Sequence, residues 1–347
     1  MNRKSLLVLA ALALVGLAVW FFFLKKDSSS TALDPQISAQ DPALSALTSL
    51  IEENPGNDTL LYRRAKAYYN LEAYDEALLD LNRAMKLDSM QPVYYHLLAD
   101  VLLDYARPND SRRAIEVLKL AAKRFPDRIS TLLKLSEFQL IVKKHGDALT
   151  TLDQILQRDP QNAEAFYMAG RVALDKGDTT ASLASFQKSV KIDAENGDAW
   201  MFLGRILSNR NNPTAIQCFD NALRIDSTNF EAQEYKGVFY KRVGNFEKAF
   251  EIYRNIIANN PDYANAYFDM GMMYLETDSL SMAYASFDIA TKTDPLLVKA
   301  YYWRGVAAEA QGNIASAFAD YKQAYGMSPQ YEEAKVAKER LEKTGVK

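Results

Sequence analysis

Residues 264–297 read ANAYFDMGMMYLETDSLSMAYASFDIATKTDPLL and decide the fold of this chain. Apolar and aromatic residues recur three and four positions apart in both halves, which is the pattern of two amphipathic helices joined by a short turn. Gly271 and Ala283 are small residues, one in each half, and Phe287 follows Ala283 by one helical turn. Small residues let two helices approach closely and large ones fill the groove beside them, so the stretch predicts a helical hairpin.

This pattern recurs along the chain with a period near 34 residues. A small residue in the first helix recurs at Ala65, Ala99, Ser136, Gly170, Gly204, Gly237, Gly271 and Gly305. A second small residue follows it at Ala77, Ala114, Ala148, Ser182, Ala215, Ala249, Ala283 and Ala317. A large residue comes four positions later, at Leu81, Leu118, Leu152, Phe186, Phe219, Tyr253, Phe287 and Tyr321. One hairpin buries too little apolar surface to be stable alone, so the copies are expected to stack.

Glycine and proline mark the ends of the predicted helices. Gly177, Gly244 and Gly312 fall between the two helices of their repeats, where a left-handed residue ends the first helix. Proline lacks an amide hydrogen and stops the second helix. It does so at Pro126, Pro160, Pro261, Pro295 and Pro329. Two connections are irregular: three extra residues stand near Arg107-Pro108-Asn109, and the connection at Asn211-Asn212-Pro213 is shortened. Loop variation or a partner contact at the longer loop explains these differences.

The series resembles the tetratricopeptide repeat family, whose pattern has an early aromatic, Leu-Gly, Tyr, Ala, Phe, Ala and Pro. The seventh repeat shows it as Tyr267, Met270-Gly271, Tyr274, Ala283, Phe287, Ala290 and Pro295. The fifth repeat shows it as Trp200, Leu203-Gly204, Leu207, Ala215, Phe219 and Ala222. The resemblance implies an all-α, right-handed superhelical solenoid of about eight helical hairpins.

The predicted domains follow from these spacings. Residues 42–57 match a second repeat helix without its partner and are expected to cap the first repeat, and residues 332–347 are expected to cap the last. The eight repeats are placed at 58–91, 92–128, 129–162, 163–196, 197–229, 230–263, 264–297 and 298–331. Residues 27–41 are polar, contain Pro35 and are interpreted as a flexible linker.

The first 26 residues are expected to anchor the chain in a membrane. Residues 5–24 carry no charge, and a helix of that length spans about 30 Å, the thickness of the hydrocarbon layer. A cleaved signal peptide is the alternative, with a passable cleavage site at Gly16-Leu17-Ala18. The flanking charges favour a cytoplasmic N-terminus, which in a bacterium places the repeats on the periplasmic side of the inner membrane. In an organelle membrane, the same charges leave the repeats facing the cytosol.

The resemblance also implies a binding surface, because repeats of this family line a concave face with first-helix residues that internal packing does not need. Counting from the small residue of each first helix places there Tyr62, Arg63, Lys66, His96, Asp100, Lys134, Glu137, Tyr167, Arg171, Met201, Arg205, Glu234, Lys241, Phe268, Met272 and Tyr302. Arg171 and Arg205 are equivalent in adjacent repeats and could take an acidic peptide. Solvated pairs with Glu164, Asp175 and Asp198 are the alternative. The lysine and asparagine clamp of chaperone-binding relatives is absent.

Composition and motifs favour a protein-binding scaffold over an enzyme. The chain has 41 basic and 44 acidic residues, so the basic face that a nucleic-acid partner requires is not expected. No phosphate-binding loop, nucleophile elbow or zinc motif is present, and no cofactor or metal is expected. His96 and His145 stand far apart, and the single cysteine, Cys218, is interpreted as a packing residue. The leading hypothesis is a membrane-anchored scaffold of a bacterial envelope complex. An organelle import receptor and a non-catalytic subunit of an envelope enzyme are the alternatives.

Overall fold

A computed structural model describes residues 41–345, and all of its regular secondary structure is α-helix. The helices of these residues are α1 (Pro42–Glu53), α2 (Asp58–Asn70), α3 (Tyr74–Leu87), α4 (Pro92–Tyr105), α5 (Asp110–Arg124), α6 (Ile129–Ile141), α7 (His145–Arg158), α8 (Ala163–Asp175), α9 (Thr179–Ile192), α10 (Gly197–Asn209), α11 (Thr214–Ile225), α12 (Phe230–Arg242), α13 (Phe246–Asn259), α14 (Ala264–Glu276), α15 (Leu280–Thr293), α16 (Val298–Ala310), α17 (Ile314–Met327) and α18 (Glu332–Lys343). The predicted all-α repeat fold is confirmed.

The described residues form two compact units, which divide between Phe138 and Gln139 within α6. In the first unit, α1 packs on α2, and each helix from α2 to α4 then contacts the next one along the chain. The second unit follows the same rule, from α7 on α8 to α18 on α17. Sequential contacts between short-looped helices produce antiparallel hairpins, so each unit is a stack of hairpins.

The turns inside the hairpins place one residue in the left-handed region. Gly177, Gly244 and Gly312 have φ of 79°, 78° and 82°, which confirms the predicted role of glycine at these three turns. Other hairpins use a residue with a side chain at the same point. These residues are Glu72, Lys143, Asn211 and Asp278, with φ of 58°, 58°, 52° and 56°. The turn geometry is therefore common to repeats whether or not they contain glycine.

Side-chain oxygens satisfy amide groups at the start of many helices. Asn162, Asn196 and Asn229 each accept a hydrogen bond, 2.9 Å long, from the amide three residues later. These asparagines precede α8, α10 and α12, so one N-cap recurs with the period of the repeat. The predicted role of proline at the end of the second helix is confirmed, because a proline stands two residues after the last residue of α7, α13, α15 and α17.

An aromatic ring lies directly against the glycine of the first helix in each of the last five repeats. A methyl group on Gly271 would lie 2.6 Å from Phe287 Cε1, well inside ordinary contact distance. The equivalent distances at Gly170, Gly204, Gly237 and Gly305 are 2.7, 2.7, 2.9 and 2.8 Å, to rings of the second helices. The predicted pairing of a small residue with a large one is thus a close contact in each of these five hairpins.

The predicted membrane span, residues 5–24, lies outside the described residues. Within 41–345, no helix combines the length and the apolar composition that crossing a bilayer requires. The longer loop at Arg107-Pro108-Asn109 separates α4 from α5, and Ala106 and Asn109 adopt positive φ at its two ends.

Candidate functional site

The predicted binding residues of the first unit lie on α2, α4 and α6, and Lys134 of α6 forms a 2.6 Å ion pair with Asp100 of α4. The ring of Tyr62 lies 5.1 Å from that of Tyr94, so it links the two first helices, and Lys66 is exposed on α2. On α4, His96 Nε2 is 2.9 Å from Thr131 Oγ1. Burial and the nearby charges of Lys134 and Arg128 lower the pKa of His96 to about 4. This imidazole is therefore neutral at pH 7 and adds no charge to the surface.

In the second unit, the structure brings Arg171 and Arg205 into one strip of first-helix side chains. The guanidinium of Arg171 lies 5.8 Å from the centroid of the Tyr167 ring on the same helix, α8. That of Arg205 lies 4.7 Å from the ring of Phe202 and 5.6 Å from the ring of Tyr235 on α12. We call these five residues, Tyr167, Arg171, Phe202, Arg205 and Tyr235, the arginine strip.

The strip is continuous from α8 to α12. The Tyr167 and Phe202 rings lie 6.1 Å apart, which connects α8 to α10. Arg205 Nη1 donates a hydrogen bond of 3.2 Å to the Tyr235 hydroxyl, which connects α10 to α12. The Tyr167 ring beside Arg171, and two rings and a tyrosine hydroxyl around Arg205, restrict the orientations of the two guanidinium groups. The strip therefore presents two ordered positive charges beside aromatic surface.

Neither arginine of the strip forms an ion pair with a carboxylate in the part of the chain that the structure describes. The Asp175 carboxylate, one predicted partner, instead lies 2.5 Å from His145 Nε2. Partly buried guanidinium groups usually find a planar anion to bind bidentately. Among residues 41–345, both guanidinium groups of the strip therefore contact aromatic rings and no carboxylate.

Three predicted binding residues are part of the internal packing, although they were expected to line the concave face without being needed for packing. Tyr167, Met201 and Phe268 are only 8%, 5% and 8% exposed. Phe268 packs 5.6 Å from Phe287, and Tyr167 packs 6.0 Å from Phe186. Their side chains fill space between neighbouring helices because large residues at these positions are needed there. They shape the surface, and the charged residues beside them provide its exposed atoms.

Of the other predicted residues, Lys241 contacts the following repeat and Tyr302 contacts its own. Lys241 Nζ on α12 is 3.4 Å from Glu276 on α14. Tyr302 on α16 is half-buried against Tyr321 and Tyr331, at centroid distances of 5.5 and 5.2 Å. Arg171 and Arg205 thus differ from Lys241, whose charge is already paired within the chain.

Sequence reasoning missed the aromatic partners of Arg205. Phe202 and Tyr235 each stand two positions before the glycine of their repeat, a position that had not been assigned to the surface. A large side chain also occurs there at Met168 and Trp303, so the signal was available in the repeat alignment. The missing information was that this position faces the preceding first helix, which only packing reveals.

The described residues show no constellation for metal binding or nucleophilic chemistry. No three His, Cys, Asp or Glu side chains among residues 41–345 are grouped so that they could hold a metal ion. Cys218 is buried, and burial raises the pKa of its thiol to about 11. A thiol with that pKa is a poor nucleophile at neutral pH.

Comparison with known proteins agrees with this geometry. The family model described as tetratricopeptide repeat matches residues 41–91, 143–197, 167–230 and 282–332, which together are more than half of the chain. Anaphase-promoting complex subunit 3 of Schizosaccharomyces pombe is 22% identical over 295 residues, covering 73% of this chain and 43% of that protein. Superkiller complex protein 3 of Homo sapiens is 22% identical over 344 residues, covering 84% of this chain and 22% of that protein. The chain spans less than half the length of both relatives.

A solved structure shows the same fold. A tetratricopeptide repeat protein from Parabacteroides merdae aligns with a TM-score of 0.56 and 21% identity, covering 71% of this chain and 98% of that one. The recurrent glycine-to-ring contacts, the shared turns and the family match lead to one conclusion. The chain belongs to the tetratricopeptide repeat family.

Proposed function

We propose that this protein is a scaffold that holds an acidic, extended segment of a partner protein on the arginine strip. The observation that carries the proposal is the pair Arg171 and Arg205, stacked on aromatic rings one repeat apart without a carboxylate partner in the described residues. A carboxylate facing each guanidinium would form charge-assisted hydrogen bonds, each stabilising the complex by about 1.5–3 kcal/mol. The aromatic rings beside them would contact the apolar part of the same segment.

The names of the relatives support an assembly role. One relative described above is named as a complex subunit and the other as a complex protein, although this chain spans only part of each. We extend this role to a chain tethered by residues 5–24, with its repeats on the extracytoplasmic side of a bacterial inner membrane, where it would position members of an envelope complex. The uncharged N-terminal segment and its flanking basic residues support the tether.

Charge reversal tests the strip directly. Crosslinking in intact cells is carried out with the wild-type chain, with Arg171→Glu/Arg205→Glu, and with Arg158→Glu/Arg210→Glu as a control of equal charge change at exposed positions. The strip variant is expected to lose at least one partner that the control retains. For an isolated acidic peptide of that partner, affinity should fall at least about tenfold per arginine. Retention of every partner by the strip variant would show that the strip is not the binding surface.

Protease treatment tests the membrane orientation separately. Intact spheroplasts are treated with protease from outside, and the repeats are expected to be digested while a cytoplasmic control protein survives. Full protection of the repeats before lysis would place them on the opposite side, which fits the receptor or cytosolic alternatives. Recovery of the chain only in the soluble fraction would refute the tether, without bearing on the arginine strip.

A further inference from the structure

The longer loop after α4 builds an aromatic edge on the first unit, far in sequence from the arginine strip. Tyr69 at the end of α2, Tyr74 at the start of α3 and Tyr105 at the end of α4 form a column of rings. The centroids of Tyr69 and Tyr74 are 6.2 Å apart, and those of Tyr74 and Tyr105 are 5.1 Å apart. All three rings are partly exposed. We call this column the tyrosine edge.

The longer loop supplies a cation to one end of the tyrosine edge. The Arg107 guanidinium lies 3.8 Å from the centroid of the Tyr105 ring. Asp75 accepts 2.6 Å hydrogen bonds from both Arg107 Nη2 and the Tyr105 hydroxyl. A guanidinium over a tyrosine ring with a carboxylate beside it is a cation–π site completed by an ion pair. This end of the tyrosine edge thus binds a guanidinium group of the chain itself.

The other end of the tyrosine edge also combines tyrosine rings with carboxylates. Among residues 41–345, no cation lies over the Tyr69 or Tyr74 ring. The Tyr69 and Tyr74 ring planes are inclined at 54° to each other, and we call the space between these two rings the notch. Asp104 accepts a hydrogen bond from the Tyr69 hydroxyl, and Glu72 stands in the turn between the two tyrosines. Both carboxylates are exposed. The hydrogen bond to the Asp104 carboxylate also raises the pKa of the Tyr69 phenol.

We propose that the notch formed by Tyr69 and Tyr74, with Glu72 and Asp104 on its border, binds an arginine or lysine side chain of a partner protein. The occupant is cationic because ring faces and carboxylates both attract positive charge, and because Arg107 already occupies the equivalent position on Tyr105. Tyrosine and arginine are also the residues that dominate the energetics of protein interfaces. This surface lies in a different unit from the arginine strip and does not depend on it.

A peptide titration on the full-length chain tests the proposal. The probe is a dye-labelled, capped peptide with three arginines separated by glycines, and fluorescence anisotropy reports its binding. A peptide with glutamate in place of arginine is the negative probe. The arginine peptide is expected to bind, and binding should weaken when the NaCl concentration is raised from about 0.05 to 0.5 M. Tyr74→Ala and Asp104→Asn should each weaken it at least about threefold.

Two further variants make the outcome decisive. Arg107→Ala uncovers the Tyr105 ring beside Asp75, so it should strengthen binding of the arginine peptide. Tyr325→Ala is the matched control, since Tyr325 is another half-buried tyrosine with a lysine, Lys338, 5.6 Å from its ring centroid. If Tyr74→Ala does not fold, as judged by circular dichroism, the exposed Asp104→Asn substitution decides the matter.

The proposal fails if the wild-type chain binds both peptides equally or neither of them. It also fails if Asp104→Asn retains full affinity, or if Tyr325→Ala loses as much affinity as Tyr74→Ala. Arg171→Glu/Arg205→Glu should retain the arginine peptide, so the outcome is independent of the arginine strip. Loss of binding in that variant would assign the peptide to another surface and overturn the proposal.

Discussion

Replacing Gly271 with alanine tests the contact that recurs through the second unit. The new methyl group would lie 2.6, 2.8 and 2.9 Å from Cε1, Cδ1 and Cζ of Phe287. Carbon atoms in proteins pack at about 3.5–4.0 Å, so the ring would have to move by roughly 1 Å. Phe287 is completely buried, and its cluster includes Phe268, Ala283 and Ala300. The ring has no free space into which it can move.

The magnitude follows from two opposing effects. Overpacking a core typically lowers the free energy of unfolding by about 1–3 kcal/mol. Alanine has a better helix propensity than glycine by about 1 kcal/mol, which offsets part of that loss. Since the clash involves three ring atoms of a fully buried side chain, we expect the upper end of the range. The net loss for Gly271→Ala is therefore about 2 kcal/mol.

Gly326 provides the matched control, because it lies in α17 and nothing stands within 4 Å of an added methyl group. Gly326→Ala should increase the free energy of unfolding by about 0.5–1 kcal/mol through helix propensity alone. Urea unfolding of the three proteins, followed by far-ultraviolet circular dichroism, measures both effects. If Gly271→Ala is as stable as the wild type or more so, the close approach of this helix to Phe287 is not a packing constraint.

Three other predictions concern buried polar groups. Arg64→Ala leaves the buried Asp80 without the guanidinium that donates 2.6 and 2.9 Å hydrogen bonds to it, so urea unfolding should show a loss of about 3 kcal/mol. The pKa of His96 is lowered to about 4 in the folded chain, so the unfolded state binds more protons between pH 6.5 and 4. The free energy of unfolding should therefore fall by about 2–3 kcal/mol as the pH is lowered from 6.5 to 4. In urea unfolding measured from pH 4 to 7, His96→Asn should lack this pH-dependent loss of stability. If the variant and the wild type show equal pH dependence, the prediction is wrong. Cys218 should resist a thiol reagent in the native state and react rapidly in urea, since burial raises its pKa to about 11.

Much of the repeat architecture was predictable, because it depends on local spacing. The small residues and the large residues recur at helical intervals, and those intervals determine which side chains can meet between two helices joined by a short turn. Gly177, Gly244 and Gly312 could be assigned because positive φ favours glycine. The equivalent turns at Glu72 and Lys143 could not, since residues with a side chain adopt that conformation only when the surrounding helices hold it.

The candidate binding surface was predicted only in part. Arg171 and Arg205 were named from their equivalent positions, but the contact of Arg205 with Tyr235 depends on how one first helix packs against the next. The burial of Met201 could not be read from the sequence for the same reason. Position within a helix shows which face a residue occupies. It does not show whether the neighbouring repeat covers that face.

The sequence by itself determined the family, the hairpin as the structural unit and the helix ends that glycine or proline marks. These properties depend on periodicity, turn conformation and the missing amide hydrogen of proline, all of which act over a few residues. Only the tertiary structure decided which charges remain without a partner in the described residues and which rings the chain brings together. The Arg107 loop appeared in the sequence as three additional residues. The contacts of Arg107 and Tyr105 with Asp75 join residues about 30 positions apart, and only the packing of the helices creates them.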